Sequence, residues 1–492
     1  MAFENLEPRE VFQFFEEICS IPHGSGNVQR ISDYLVDFAK TRGLDVIQDE
    51  ALNVIIKAPG TEGYEDKEPV ILQGHMDMVA VKEDGADIDM TKDGLKTCTD
   101  GEFVWAEGTS LGGDDGIAVA YALALLDSKE IPHPPLEVVI TTDEETGMDG
   151  AEAVDLSSLK GRRMINIDNE EEGVFITSCA GGARVYSRLS VVRKMTSGVL
   201  AEVKVTGLLG GHSGEMIIKG RGNANIILAR ALLEAAEHSE FNLVNIKGGV
   251  ADNAIPSDAE AVVLVNKNDL KAFADGIKAA AEDICGELEV KDPGLDILVN
   301  GISTKDEQCA KALLTADEAG EMAVSLEDTG KVLSFICAMP DGVQAMSASV
   351  EGLVETSLNL GILKTEGDLV TLEQSVRSSV ESSKRFLIKK LEILAKSFGA
   401  EVSVSGAYPG WKYRPESPLR DHMVRVYEEM YGRKPKLEAI HAGLECGLLS
   451  DKIEGLDCIS IGPDMQDIHS TGEKLSVKST ANVWEYLKAV LK

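Results

Sequence analysis

A chain of 492 residues exceeds one ordinary compact domain, so two or three are expected. Its content, 43% hydrophobic and 27% charged, suits a globular protein with a sizeable core. The formal net charge of −35 argues against nucleic acid or an anionic membrane as partner, because phosphate contacts need a basic patch.

The N-terminus has no basic segment followed by an apolar stretch, and no run of about 18 apolar residues occurs, so neither a signal peptide nor a membrane span is expected. The eight cysteines (Cys19, Cys98, Cys179, Cys285, Cys309, Cys337, Cys446 and Cys458) are scattered without a CxxC pair. They read as buried free thiols in a reducing compartment, which makes the chain cytoplasmic. Residues 8–19 and 28–42 read as amphipathic helices. Apolar runs at 53–57, 69–73, 136–142 and 163–168 read as strands, and 116–126 (GIAVAYALALL) as a buried helix whose small residues allow close packing. Strands that are apolar throughout and joined by helices imply an α/β fold with a mostly parallel sheet covered on both faces. Ligands then bind beyond the carboxyl ends of the strands.

From about residue 187 the pattern changes. Residues 185–192 and 200–206 alternate apolar and polar residues, as half-exposed antiparallel strands do. A helix at 223–237 and strands at 243–248 and 259–265 follow, and a comparable set runs through 332–337, 345–350, 355–363 and 375–398. Residues 187–408 thus read as an inserted α+β lid with the look of two similar halves. The helix at 419–431 and the apolar stretch 456–461 return to the first domain, which has two segments, 1–186 and 409–492.

Each strand of the first domain ends in residues able to bind a cation. His75 and Asp77, in GHMD, face the same way on an extended segment, which suits a metal-binding imidazole oriented by a carboxylate, or a plain structural His–Asp pair. Asp114 and Asp115, in GGDDG, open the buried helix, either as helix-capping groups or as carboxylates bridging two cations. Asp143, Glu144 and Glu145, in TTDEETG, repel one another unless something positive lies among them. One glutamate can then ligate a metal while its neighbour carries a proton. Asp168 ends a further strand and His469 follows the last apolar stretch. Two histidines and three carboxylates suit zinc, with manganese and cobalt acceptable to the same donors. Ser110, in GTSLG, matches the G-x-S-x-G pattern of serine hydrolases, but no HGGG-type oxyanion motif accompanies it.

The segments GHMDMV, GGDDGIA, TTDEETG, NIDNEEEG, GGHSGE and HAGLECG, in this order, resemble the aminoacyl-histidine dipeptidases. That family (cytosolic non-specific dipeptidase, or peptidase D) lies in the carboxypeptidase G, peptidase T and acylase superfamily of metallopeptidases. The resemblance covers essentially the whole chain. It implies two-metal hydrolysis of dipeptides, of the Xaa-His type and with broad specificity. It implies that His75, Asp114 and Asp168 bind one ion and that Asp114, Glu145 and His469 bind the other. Glu144 is then the general base, Asp77 the orienter of His75, and His212 in the lid the oxyanion donor. In relatives that donor can come from a partner subunit, so a homodimer is expected. GGDDG departs from the GADNG and GADDKG forms of relatives, and Asp114 is taken as the bridge because it aligns with their single Asp. Asn253 and Arg414 are candidates for the substrate carboxylate, and Glu445 for a free amino group. An N-acyl amino acid amidohydrolase or carboxypeptidase of the same superfamily is the alternative.

Overall fold

The computed structural model describes residues 2–492, which fall into two compact units. Unit 1 comprises 1–179, 411–439 and 444–492; unit 2 comprises 180–410 and 440–443.

Unit 1 is built on eight strands: β1 (Asp45–Gln48), β2 (Val54–Ala58), β3 (Val70–His75), β4 (Leu136–Thr141), β5 (Arg163–Asn166), β6 (Val174–Cys179), β7 (Lys436–Ile440) and β8 (Asp457–Ser460). Their order across the sheet is β1-β2-β4-β3-β5-β8-β6-β7. The parallel pairs are β4–β3, β3–β5 and β5–β8, whereas β2 runs antiparallel to β4. Parallel pairing therefore belongs to the four central strands. Strand β2 is apolar because both its faces are covered, and that pattern carries no information about direction.

Helices Arg9–Cys19 and Gln29–Thr41 lie where amphipathic spacing places them. The helix Gly113–Asp127 is apolar all round and almost wholly buried. Its close approach to β3 needs Gly74, where a Cβ would come within 2.6 Å of the Ala118 Cβ and 2.4 Å of Asp115 Oδ2. Tyr121 on this helix stacks on Trp484, with ring centroids 5.9 Å apart.

Parallel registers align the strand ends. His75 of β3 lies opposite Thr141 of β4, and Gln73 lies opposite Asn166 of β5. The residues that follow therefore gather along one edge of the sheet: His75–Asp77, Asp143–Glu145 and Asp168. A small sheet adds the hairpin Met465–Gln466 and Lys474–Ser476, whose loop carries His469.

Unit 2 is built on an eleven-stranded sheet whose assigned pairings are antiparallel, packed against helices that include Ala224–Ala236, Leu270–Leu288, Leu326–Ala338 and Glu381–Ser397. Its first strand, Gly181–Ser190, starts before residue 187, because Gly181 and Gly182 have no side chains with which to display alternation. The cysteines are all free; Cys98, Cys285 and Cys337 are partly exposed rather than buried. No helix of the described residues is long and apolar enough to cross a membrane.

Candidate metal and peptidase site

His75 ends β3 with its ring buried. Its Nδ1 is 3.0 Å from the Asp77 carbonyl and 3.4 Å from Asp77 Oδ1. Its Nε2 lies 3.1 Å from Asp114 Oδ1 and 3.6 Å from Asp168 Oδ1. The other oxygen of Asp114, Oδ2, is 3.1 Å from His469 Nε2, which is also 2.9 Å from Glu145 Oε1. Asp114 thus presents one carboxylate oxygen to each imidazole.

Asp77 is fully buried and accepts hydrogen bonds from Ser25 Oγ (2.8 Å), Glu144 N (3.1 Å) and Glu145 N (3.4 Å). It fixes the loop of the two glutamates as well as the His75 ring. Asp115 turns the other way: its Oδ2 accepts the His75 backbone N–H at 3.1 Å. Burial, then the charge of Asp168, pushes its carboxyl well above the ordinary range. The Asp114–Asp115 peptide bond is cis.

The electrostatics show what the cluster lacks. Burial pushes Asp168 up to about 6, and pushes Glu144 well above its usual value. Burial disfavours a charged His75 ring, yet contacts with Asp114, Asp168 and Asp77 raise it well above 6.5. His469 is raised to about 10 by Asp114 and Glu145. Two protonated imidazoles thus supply the positive charge that the acids demand.

The donor set fits divalent metal. Donor atoms of His75, Asp114 and Glu145 lie within 4.8 Å of one another, as do those of His75, Asp115 and Asp168. Tetrahedral bonds of about 2.0–2.2 Å would separate donor atoms by about 3.3–3.6 Å, close to the 2.9–3.6 Å found among these side chains. Asp168 Oδ2 is buried without a hydrogen-bond partner.

Beneath the cluster, Glu445 opens the helix Glu445–Lys452 and is fully buried. Its Oε2 accepts from Thr141 Oγ1 (2.7 Å) and from Gln73 Nε2, and burial pushes the carboxyl up to about 7. Arg414 lies elsewhere, with Nη1 donating to the carbonyls of Gly455 (3.0 Å) and Leu456 (3.2 Å), where it holds a loop. The Ser110 hydroxyl is buried, donating to the Val79 carbonyl (2.6 Å) and accepting from Val81 N (3.2 Å). That is a structural use, which leaves the serine-hydrolase reading without a nucleophile.

Unit 2 gathers a different set. His212 pairs with Ala254 on a two-stranded ladder, and Ser213 N donates to the Asn253 carbonyl at 2.7 Å, so His212 and Asn253 are neighbours. Burial and then Arg377 lower the pKa of His212; the same two causes bring His441 down to about 4. His441 Nε2 is 2.7 Å from Ser357 Oγ. Sequence reading passed over Arg377 and His441. Arg377 sits on a strand buried on both faces, where an alternation pattern gives no cue.

Residues 71–492 match the sequence family described as Peptidase family M20/M25/M40. The chain belongs to that family. It is 37% identical over 490 residues to the cytosol non-specific dipeptidase of Escherichia coli K12, covering 99% of this chain and 98% of the relative. The crystal structure of aminoacylhistidine dipeptidase from Vibrio alginolyticus superposes with a TM-score of 0.91 at 37% identity, covering 100% of this chain and 98% of that one. The aminopeptidase PepT of Bacillus cereus, at 17% identity and a TM-score of 0.55 over 99% of this chain and 98% of that one, shares the fold. This M20-family chain thus carries its cluster on the peptidase scaffold that the resemblance implied.

Proposed function

We propose that this peptidase is a dinuclear metallo-dipeptidase that hydrolyses Xaa-His and other dipeptides. The observation that carries the reading is Asp114, with one carboxylate oxygen beside His75 and the other beside His469. His75, Asp114 and Asp168 would hold one ion, and Asp114, Glu145 and His469 would hold the other. The donors suit zinc, and manganese or cobalt equally. When bound, the pair supplies Lewis-acid polarisation of the scissile carbonyl and lowers the pKa of an attacking water.

The protein does the rest. Glu144, whose backbone Asp77 holds, takes a proton from the attacking water and delivers it to the leaving amine. His212 is kept neutral by burial and Arg377, and its N–H is the donor for the developing oxyanion. Arg377 with Asn253 replaces Arg414 in the role of holding the substrate carboxylate. Glu445 Oε1, buried without a hydrogen-bond partner, is the candidate for the substrate ammonium. We read the enzyme as a cytosolic homodimer.

A dipeptide panel including β-alanyl-histidine and N-acetylated controls tests this, with metal-free and reconstituted protein. Cleavage of free dipeptides only with metal, abolished by N-acetylation, is expected. Cleavage that survives complete chelation overturns the two-metal reading. Cleavage of acylated substrates alone makes the enzyme an acylase.

A further inference from the structure

Glu473 is one of the least exposed acids in unit 1, at 3%, and neither a metal nor a substrate role uses it. Its carboxylate accepts three successive backbone N–H groups: Leu111 (2.9 Å) and Gly112 (3.2 Å) on Oε2, and Gly113 (2.8 Å) on Oε1. Those residues immediately precede Asp114. Such a row of convergent N–H groups forms a cradle for an anion, and here a side chain of the same unit fills it. The cradle needs Gly112 in the left-handed region, at φ +71°, where a Cβ would stand 2.8 Å from Met78 Sδ.

Glu473 is itself placed by the strand Lys474–Ser476, which pairs with Met465–Gln466 and with Phe103–Ala106. The loop between Gln466 and Lys474 therefore acts on the Asp114 segment at two points: His469 meets the Asp114 carboxylate, and Glu473 grips the backbone of the three residues before it. On the opposite side Asp77 does the same for Glu144 and Glu145. The loops that carry Asp114 and the two glutamates are each pinned by one buried carboxylate.

We infer that Glu473 is a positioning residue that sets the bridging carboxylate of Asp114, and thereby the affinity of the site for its second ion. The inference rests on the dinuclear reading above. Hydrogen bonds to groups that orient metal ligands are worth about 10–100-fold in metal affinity or activity.

Wild type, Glu473→Gln and Glu473→Asp are stripped of metal and titrated with Co2+ alone, following the visible absorption of the bound ion. The melting temperature of each metal-free protein is recorded alongside. Wild type should take up two equivalents. Glu473→Gln keeps the length but loses the charge and one of the two acceptor oxygens, and should bind the second equivalent about 10–100-fold more weakly while the metal-free protein still melts cooperatively. At saturating metal it should lose kcat with KM unchanged. Glu473→Asp keeps the charge one methylene shorter and should fall between the two. Two folded variants that bind Co2+ as tightly as wild type, with the same spectrum, overturn the inference and leave Glu473 a helix-capping group. If Glu473→Gln does not fold, Glu473→Asp decides on the same criterion. Uptake of only one equivalent by wild type overturns the dinuclear reading and this inference with it, an outcome distinct from tight binding by the variants.

Discussion

The histidines of the two units have opposite fates. In unit 1, His75 and His469 lie against Asp114, Asp168 and Glu145 and are driven towards the charged form. In unit 2, the half-buried His212 and the buried His441 feel the charge of Arg377 and are driven towards the neutral form. The same side chain thus becomes a stand-in cation in one unit and a neutral hydrogen-bonding group in the other. The carboxylates of unit 1 create a demand that metal satisfies, because a metal displaces two protons and keeps the positive charge. Arg377 of unit 2 disfavours a second positive charge on either histidine. Neither property follows from the net charge of −35, which only says that acids predominate.

The largest expected effect is at Glu144. Glu144→Gln should leave metal content and melting temperature unchanged while lowering kcat by about 10²–10⁴-fold, the usual worth of a positioned proton carrier. Retained kcat would remove Glu144 from the chemistry. The adjacent aspartates sharpen the contrast within unit 1. Asp114→Asn should cut the bound metal below two equivalents and weaken what remains by about 100-fold, at the upper end of the second-layer range because Asp114 is proposed as a direct ligand. Asp115→Asn should keep both ions, since Asp115 accepts the His75 backbone N–H, a bond that an amide oxygen can also accept. Metal analysis of the two variants decides between them; the reverse pattern would move the bridge to Asp115.

Arg377→Ala comes next. A hydrogen bond to a charged group contributes about 1.5–3 kcal/mol, so KM should rise about 10–150-fold with kcat less affected. With the guanidinium gone, the His212 and His441 pKa values should both move upward, which imidazole NMR titration would read. Unmoved values would dissolve the contrast between the units.

The metal cluster was legible in the sequence because parallel strands end together, so His75, Glu145 and Asp168 could be read from the ends of apolar runs. The Asp114–Asp115 pair was legible through the buried helix that it opens, but the choice between the two came only from the family resemblance. The direction of β2 was not, because a strand covered on both faces looks alike either way round. Glu473 was not legible either: it is one of 83 acids, and its partner N–H on Leu111 is 362 residues away. Arg377 and His441 come together through strand pairing and a short return segment, 440–443, contacts that no local pattern encodes.

The smallest effect concerns stability alone, at an acid of unit 2 remote in role from either group. Asp341 is half-buried and accepts hydrogen bonds from Leu360 N (2.7 Å) and Asn223 Nδ2 (3.2 Å), and desolvation pushes its carboxyl from 3.8 to about 6. The folded state therefore holds this proton more tightly than the unfolded chain. Its stabilising contribution is complete below pH about 4 and is lost as pH rises through about 6. Two pKa units correspond to at most ~3 kcal/mol, and weaker hydrogen bonds from the substituting amide reduce the net gain of Asp341→Asn to ~1–2 kcal/mol at pH 8. The variant should therefore melt a few degrees above wild type at pH 8 and no higher than wild type at pH 4. An equal shift at both pH values would mean that Asp341 is ionised throughout. The carboxylates of unit 2 would then tolerate burial without a cation, and the contrast with the metal cluster of unit 1 would lose its electrostatic basis.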